Sequence, residues 1–300
     1  PTVKGVAVTT TQSNRSDRPN RTVPLPRQGR QVSEKESRQV AEAARETEWG
    51  RPSFGKELFL GRFRPELIDP LPTPDPEEAA RAEEFLARLD AYLSSEVDGA
   101  EIERNARIPD EVFHGLARLG AFGMKIDKKY GGLGLSNLHY CRALMLAGSI
   151  SPAIGALLSA HQSIGVPQPL KLFGTEEQRQ RFLPRLAAGE ISAFLLTEPD
   201  VGSDPARLSA TAEPTADGTG YLLNGVKLWA TNGTVATLLV VMARVPAGEG
   251  RPGGITAFVV EGDSPGITVE HRNTFLGLCG IENSVTRFHN GFVPKENVIG

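Results

Sequence analysis

Cysteine is nearly absent from this chain. Of its 300 residues only Cys141 and Cys279 are cysteine, and they stand far apart, so there is no disulfide framework and no zinc-ligand spacing, and a reducing compartment suits them. No run of 18 apolar residues occurs, so no transmembrane helix is expected. Positive charge is not in excess either. The net charge is −3, whereas a protein that holds nucleic acid electrostatically carries the opposite sign. What is present, 39% hydrophobic and 23% charged residues, is the ordinary usage of a soluble globular protein. Three hundred residues suggest about two domains, with a core large enough to need no covalent staple.

The two ends of the chain differ in character. Residues 1–32 hold Arg15, Arg18, Arg21, Arg27 and Arg30 among many Ser, Thr, Pro and Gln. They lack an apolar face, so they read as a flexible arm rather than a transit peptide. The charged segment 33–49, with Ala41, Ala43 and Ala44, reads as a surface helix, and residues 1–52 together as an N-terminal arm. Residues 53–71 are apolar and Pro-bounded, and predict an ordered strap laid over the next domain.

Residues 53–190 read as all-α. Asp75 is placed to cap a helix with Pro76 at its first position, and Glu78 falls where a capping box needs a carboxylate. Ala82, Phe85, Leu86, Leu89 and Leu93 follow at helical spacing. A second helix carries Val112, Leu116 and Leu119 and stops near Gly120 or Gly123. Tyr130-Gly131-Gly132-Leu133-Gly134 lacks the spacing of a phosphate-binding glycine motif and follows no parallel strand, so it reads as a connecting loop. Residues 138–158 are apolar on nearly all sides, as one helix at a domain centre would be, and His161 at its end reads as hydrogen-bonded structure. Thr175 and Gln178 form a capping box for a helix with Phe182, Leu183 and Leu186, closed by Gly189.

From Ile191 the period changes from 3.6 to 2. Residues 193–196, 208–212, 221–223, 235–243, 255–260 and 267–271 read as strands. Asn224-Gly225 reads as a hairpin turn and Asp217-Gly218 as a second turn. Short strands with frequent turns predict a barrel-like or sandwich domain over residues 191–300. Two stretches here carry chemistry. In 194–204, Pro199 fixes the backbone, Gly202 permits close approach of a ligand, and Thr197, Ser203 and Asp204 offer hydroxyls and a carboxylate beside the turn. In 227–233, Trp229 and Thr231 suit the face and edge of a flat heterocycle. The same residues also read as a hairpin with a buried Trp.

The series Leu196-Thr197-Glu198-Pro199-x-x-Gly202-Ser203-Asp204, then Lys227-Leu228-Trp229-Ala230-Thr231-Asn232-Gly233, the strand at 253–262 and Val293-Pro294-Lys295-Glu296-Asn297-Val298-Ile299-Gly300 resembles the acyl-CoA dehydrogenases over about residues 75–300. Ser53-Phe54-Gly55-Lys56-Glu57-Leu58-Phe59-Leu60-Gly61 and Ala160-His161-Gln162-Ser163-Ile164-Gly165 resemble the very-long-chain branch of that family.

The resemblance implies an α+β multidomain protein: an all-α N-terminal domain, then a β-barrel-like middle domain, without the family's C-terminal helical bundle. It implies an FAD-dependent desaturation of a medium- to long-chain acyl-CoA thioester to the trans-2-enoyl-CoA, with Phe194, Leu196, Thr197, Gly202, Ser203, Trp229, Ala230 and Thr231 at the flavin and Ser203 also at the substrate. The family's catalytic base is a Glu of that bundle, and no residue here matches it. Glu198 is structural in the family. Val201 and Arg207 replace residues that are usually small. The resemblance further implies an electron-transfer flavoprotein as acceptor, a homodimer or homotetramer, no nucleic acid, and a bacterial cytoplasm or, alternatively, a mitochondrial matrix. Other readings on the same fold are a non-catalytic assembly or binding protein and a flavin oxidase or monooxygenase.

Overall fold

Asp75 begins the first long helix as its sequence predicts. Its Oδ1 accepts the Glu78 amide at 2.9 Å, Pro76 takes the first position, and Ala82, Phe85, Leu86, Leu89 and Leu93 line the buried stripe of α2 (Pro76–Glu96). The computed structural model describes residues 52–70, 73–248 and 253–300. The expected arm up to residue 51 and its surface helix lie outside the described residues. Ahead of α2, α1 (Phe54–Phe59) and a 3-10 turn at Pro65–Leu67 follow the strap region. Phe54 and Phe63 pack on each other, but Leu58, Phe59, Leu60 and Phe63 are exposed, so the strap does not lay its apolar side chains on the next domain.

Glu78 does not close a capping box. Its carboxylate turns across to the start of α5 (Asn137–Ile150), accepting the Ser136 amide at 2.8 Å and meeting His139 Nδ1 at 2.9 Å. Between them lie α3 (Gly99–Asn105), not foreseen, and α4 (Asp110–Leu119), which ends on Gly120 at φ 81°. The expected single helix over 138–158 is two helices, because Pro152 supplies no amide and holds Ser151 extended. α5 stops at Ile150 and α6 (Pro152–Ser163) starts anew. After α7 (Pro167–Phe173), α8 (Glu176–Ala187) opens on the predicted box, with Thr175 Oγ1 accepting the Gln178 amide at 3.2 Å and Gln178 Oε1 the Thr175 amide at 3.0 Å.

Helix gives way to strand between Ala187 and Ser192. Among the described residues eight strands follow: β1 (Ser192–Leu195), β2 (Thr211–Pro214), β3 (Gly220–Thr231), β4 (Leu238–Val245), β5 (Gly254–Glu261), β6 (Ile267–Asn273), β7 (Asn283–Pro294) and β8 (Val298–Ile299). Their order is β6-β7-β3-β2-β4-β5-β8, with β1 parallel to β4. This is an open sheet, not a closed barrel: β6 and β8 are its ends. β4 reads Leu-Leu-Val-Val because both its faces are covered. Leu238 and Val240 meet Leu170, Phe182 and Leu186 of α7 and α8, whereas Leu239, Val241 and Ala243 join the core of the sheet's other face. The Gln178 amide closes the β8 end by donating to Glu296 O at 2.8 Å and Val298 O at 2.6 Å.

Asn224-Gly225 is not a hairpin turn. β3 continues through it while β7 opposite carries an extra residue, and the Asn224 side chain is occupied by Asn290, whose backbone amide donates to Asn224 Oδ1 at 2.9 Å while Asn224 Nδ2 donates to Asn290 Oδ1 at 3.1 Å. Gly225 sits at φ 142°, where a Cβ would fall 2.7 Å from that of Ala210. The turn at Asp217-Gly218 is real: Asp217 Oδ1 accepts the Thr219 amide at 3.1 Å. β2 and β4 begin three residues later than the pattern predicts, and β7 and β8 are strands that the pattern did not single out.

Candidate functional site

The site is built where β1 ends beside the far end of β3. After Leu195 the chain makes a tight turn in which the Glu198 and Val201 amides and carbonyls bond each other at 3.0 and 3.1 Å. Phe194, Leu196 and Thr197 are half-buried, and Gly202 and Ser203 are exposed beyond the turn. Thr197 O accepts the Leu228 amide at 2.8 Å. This bond stitches the first motif to the second.

A buried ion pair strengthens that seam. Lys227 Nζ donates to Glu198 Oε1 at 2.8 Å and to Leu196 O at 3.1 Å. Glu198 also accepts the Ser209 amide at 2.7 Å, the Ser209 hydroxyl at 2.6 Å and the Ala210 amide at 3.0 Å. Burial alone would raise this carboxyl; the hydrogen bonds from Lys227 and Ser209 outweigh it and hold Glu198 below the usual carboxylate range. With four donors on a carboxylate that has about four acceptor positions, none is left to take a proton from a substrate. Glu198 is therefore structural.

Beyond Lys227, β3 bulges. Lys227 pairs with Thr286 and Ala230 with Ser284, so β3 takes three steps where β7 takes two, and the extra residue turns a side chain outward. Trp229 sits there at φ 56°, a conformation that costs a bulky L-residue about 1–2 kcal/mol, and it is 55% exposed. The reading of these residues as a hairpin around a buried Trp is thus overturned. Ala230 is buried behind it and Thr231 half-buried beside it. Asn232 anchors the strand end, donating from Nδ2 to Leu157 O at 3.0 Å and Ser192 O at 3.2 Å. Gly233 admits no side chain, since a Cβ would lie 2.0 Å from Ser284 Oγ.

Trp229 and Thr231 line a groove of about 270 Å³ with Phe275, Leu278, Ile281 and Asn283. Its walls are aromatic and aliphatic, with Trp229 and Phe275 centroids 6.0 Å apart. Its polar edge is the Thr231 hydroxyl, 3.4 Å from Asn283 Nδ2, whose amide oxygen in turn accepts Asn273 Nδ2 at 2.7 Å. Phe194, Leu196, Thr197, Gly202 and Ser203 do not line this groove; they join it through the seam at Thr197 and Lys227. The loop 274–282 was missed from sequence. Its signal was an apolar, glycine-interrupted run, Phe275-Leu276-Gly277-Leu278, whose Leu276 is wholly exposed. That loop is pinned by Arg272, whose Nε donates to Glu282 Oε2 at 2.9 Å and Nη2 to Ala106 O at 2.6 Å, while Thr234 Oγ1 donates to Glu282 Oε2 at 2.5 Å.

The helices are tied to β1 by His161, fully buried. It accepts the Ser192 amide at Nδ1, 3.0 Å, and donates from Nε2 to Phe122 O at 3.0 Å, so it is the neutral Nε2–H tautomer. Burial lowers it to about 4, against the hydrogen bond to Phe122. His161 is structural, as its isolation in the sequence suggests. Among the described residues no three His, Cys, Asp or Glu side chains converge as metal ligands, and no helix is long and apolar enough to cross a membrane.

Comparison with known proteins accounts for this arrangement. Residues 79–190 match the model of the acyl-CoA dehydrogenase N-terminal domain, and residues 193–290 that of the middle domain. A probable acyl-CoA dehydrogenase of Mycobacterium tuberculosis, FadE10, is 63% identical over 270 residues, which are 90% of this chain and 41% of that protein. The mitochondrial very long-chain specific acyl-CoA dehydrogenase of Mus musculus is 36% identical over 254 residues, 83% of this chain and 39% of the relative. The chain thus spans about two fifths of the length of these curated relatives. The crystal structure of an acyl-CoA dehydrogenase complexed with FAD from Bacillus anthracis superimposes with a TM-score of 0.63 at 30% identity, over 78% of this chain and 40% of that one. Helices, open sheet and the two stitched motifs together place the chain in the acyl-CoA dehydrogenase family, of which it carries the N-terminal and middle domains.

Proposed function

We propose that this chain is the flavin-holding part of an FAD-dependent acyl-CoA dehydrogenase that converts an acyl-CoA thioester to the trans-2-enoyl-CoA. The observation that carries the reading is Trp229, a large aromatic held outward at a strained bulge and more than half exposed on the wall of an apolar groove. Backbone strain of this kind persists where function requires the conformation. The groove fits a flat heterocycle: apolar walls for its faces, and the Thr231 hydroxyl and Asn283 amide for its polar edge. The FAD-bound relative of the same fold supports the choice of cofactor.

In this reading Trp229, Ala230 and Thr231 hold the flavin from one side. Phe194, Leu196, Thr197, Gly202 and Ser203 hold it from the other, with Ser203 also touching the thioester. When bound there, FAD would supply the acceptor for the β-hydrogen of the acyl group as hydride. The described residues bind, orient and exclude water; no carboxylate lines the groove, and Glu198 is saturated, so neither of these supplies the base for the α-proton. We place the protein in a bacterial cytoplasm as a homodimer or homotetramer passing electrons to an electron-transfer flavoprotein. The test is anaerobic addition of acyl-CoA thioesters of graded chain length to the full-length flavoprotein. Loss of the oxidised flavin absorbance with at least one chain length is expected; an unchanged spectrum with all of them defeats the reading.

A further inference from the structure

A second concavity lies between the loop after α4, helix α6 and helices α7 and α8. It holds about 180 Å³ and is rimmed by four cations, Lys125, Lys129, Lys171 and Arg179. Among the described residues only two carboxylates answer them. Asp127 lies 3.4 Å from Lys171 Nζ, and Glu176 serves both Lys129, at 3.4 Å, and Arg179, at 3.7 Å. Glu176 is further engaged by the Tyr130 hydroxyl at 2.8 Å. The rim therefore carries an excess of two positive charges, in a chain whose net charge is −3.

Lys125 is the uncompensated member. It is half-buried, and among the described residues no carboxylate lies within ion-pair distance of its ammonium. Its neighbour is the face of the Tyr140 ring, 5.1 Å away. Burial and then the nearby Lys171 ammonium push it below the usual lysine range. Like charges held together in a concave place, with one of them withdrawn from water, are costly unless an anion completes the set. Below the rim the floor is apolar, formed by Ile126, Pro167 and Leu183.

We propose that this groove binds the phosphate monoester group of a small molecule. Such a group carries about −1.5 to −2 charges at neutral pH and three strong acceptor oxygens, which matches the excess of two and the ammonium donors of Lys125 and Lys171; the Arg179 guanidinium, whose Nε donates to Leu170 O at 3.0 Å, adds charge rather than a free donor. The groove has room for one phosphate and a few attached atoms over its apolar floor, and not for an extended polyanion. None of the residues assigned to the flavin lines it, so the site stands or falls independently of that assignment.

The test is calorimetric titration of the full-length flavoprotein with inorganic phosphate and with phenyl phosphate, at constant ionic strength in chloride. One saturable site per chain is expected, with phenyl phosphate the tighter ligand because its ring covers the apolar floor. Lys125→Gln and Lys171→Gln each weaken both ligands by about tenfold, as the loss of a charge-assisted hydrogen bond does. Lys128→Gln, outside the groove, leaves them unchanged, and all three variants keep the parent melting temperature. A heat response produced by coenzyme A but not by its 3′-dephospho form assigns the site to the substrate's own phosphate; a response to phenyl phosphate without one to coenzyme A assigns it to a separate metabolite. The absence of saturable phosphate binding, or an equal loss in Lys128→Gln, overturns the proposal.

Discussion

Glu198 and Lys227 form an ion pair 2.8 Å long in which both side chains are almost wholly shielded from solvent, at 1% and 0% exposure. The two partners are unequally supported. Without Lys227, Glu198 keeps three donors from Ser209 and Ala210; without Glu198, Lys227 keeps only Leu196 O. Breaking a buried pair costs about 3–5 kcal/mol when a charge is left without a partner.

Glu198→Ala is therefore expected to lower unfolding free energy by about 3–5 kcal/mol, and Lys227→Met by less, about 1–3 kcal/mol. Replacing both together costs less than Glu198→Ala alone. Denaturant titration of the three variants checks this ordering, and a Lys227→Met that is the most damaging of them contradicts it.

Trp229 predicts a conflict between stability and binding. Trp229→Gly relieves the positive φ and gives up little packing, so the flavin-free protein gains up to about 1 kcal/mol. The same change, like Trp229→Ala, weakens FAD binding by about 1–3 kcal/mol through loss of a large aromatic contact. Thermal melts of the flavin-free form and fluorescence titration of FAD read the two effects separately. A variant that loses stability and keeps its affinity contradicts both.

His161 gives the protein an acid sensitivity with a defined window. The unfolded chain takes up this proton near pH 6.5 and the folded chain only near 4. Between these values the unfolded state binds more protons, so stability falls as pH falls. The full loss is about 3 kcal/mol by pH 4. His161→Gln is expected to be less stable at pH 7 and to flatten that part of the profile. A His161→Gln profile parallel to the parent's between pH 6.5 and 4 rules this out.

Arg272 holds the groove's third wall from a distance. Arg272→Met removes the cation from the buried Glu282 and one bond to Ala106 O. Because Arg272 is itself about a third exposed, with its side chain at 30%, the expected loss is about 1–2 kcal/mol. Hydrogen exchange in 274–282 is expected to rise while that of β4 stays unchanged. Uniform exchange across both segments tells against a local role for Arg272.

What the sequence disclosed was whatever local chemistry determines. Asp75, Pro76, Thr175 and Gln178 set helix starts, and the change of period at Ile191 marked the passage to strands. The motif 227–233 placed Trp229 and Thr231 on one surface. What it concealed depends on partners remote in sequence. Asn224-Gly225 has the residues of a tight turn, but its side chain is taken by Asn290, sixty-six positions on. Glu78 sits at a capping-box position, yet His139 and Ser136 claim its carboxylate. β7 escaped notice because it buries Asn283, Ser284 and Thr286, polar residues that spoil an apolar alternation. The loop 274–282 escaped because its exposed apolar side chains follow no period at all.

The open sheet ends in two unlike borders. At β8 the Gln178 amide occupies the carbonyls that an incoming strand would seek, so that border is sealed from within the chain. At β6 no such seal is drawn among the described residues: Thr268, Val269, Glu270 and His271 are all exposed, and the pairing with β7 is interrupted by an extra residue next to the Val285 pair. Of these two borders, β6 is the one at which a foreign strand can join, whether in a misassembled dimer or in the first step of aggregation. Growth of the sheet is thereby directional, and lysine or proline placed on the outer edge of β6 is the economical way to stop it.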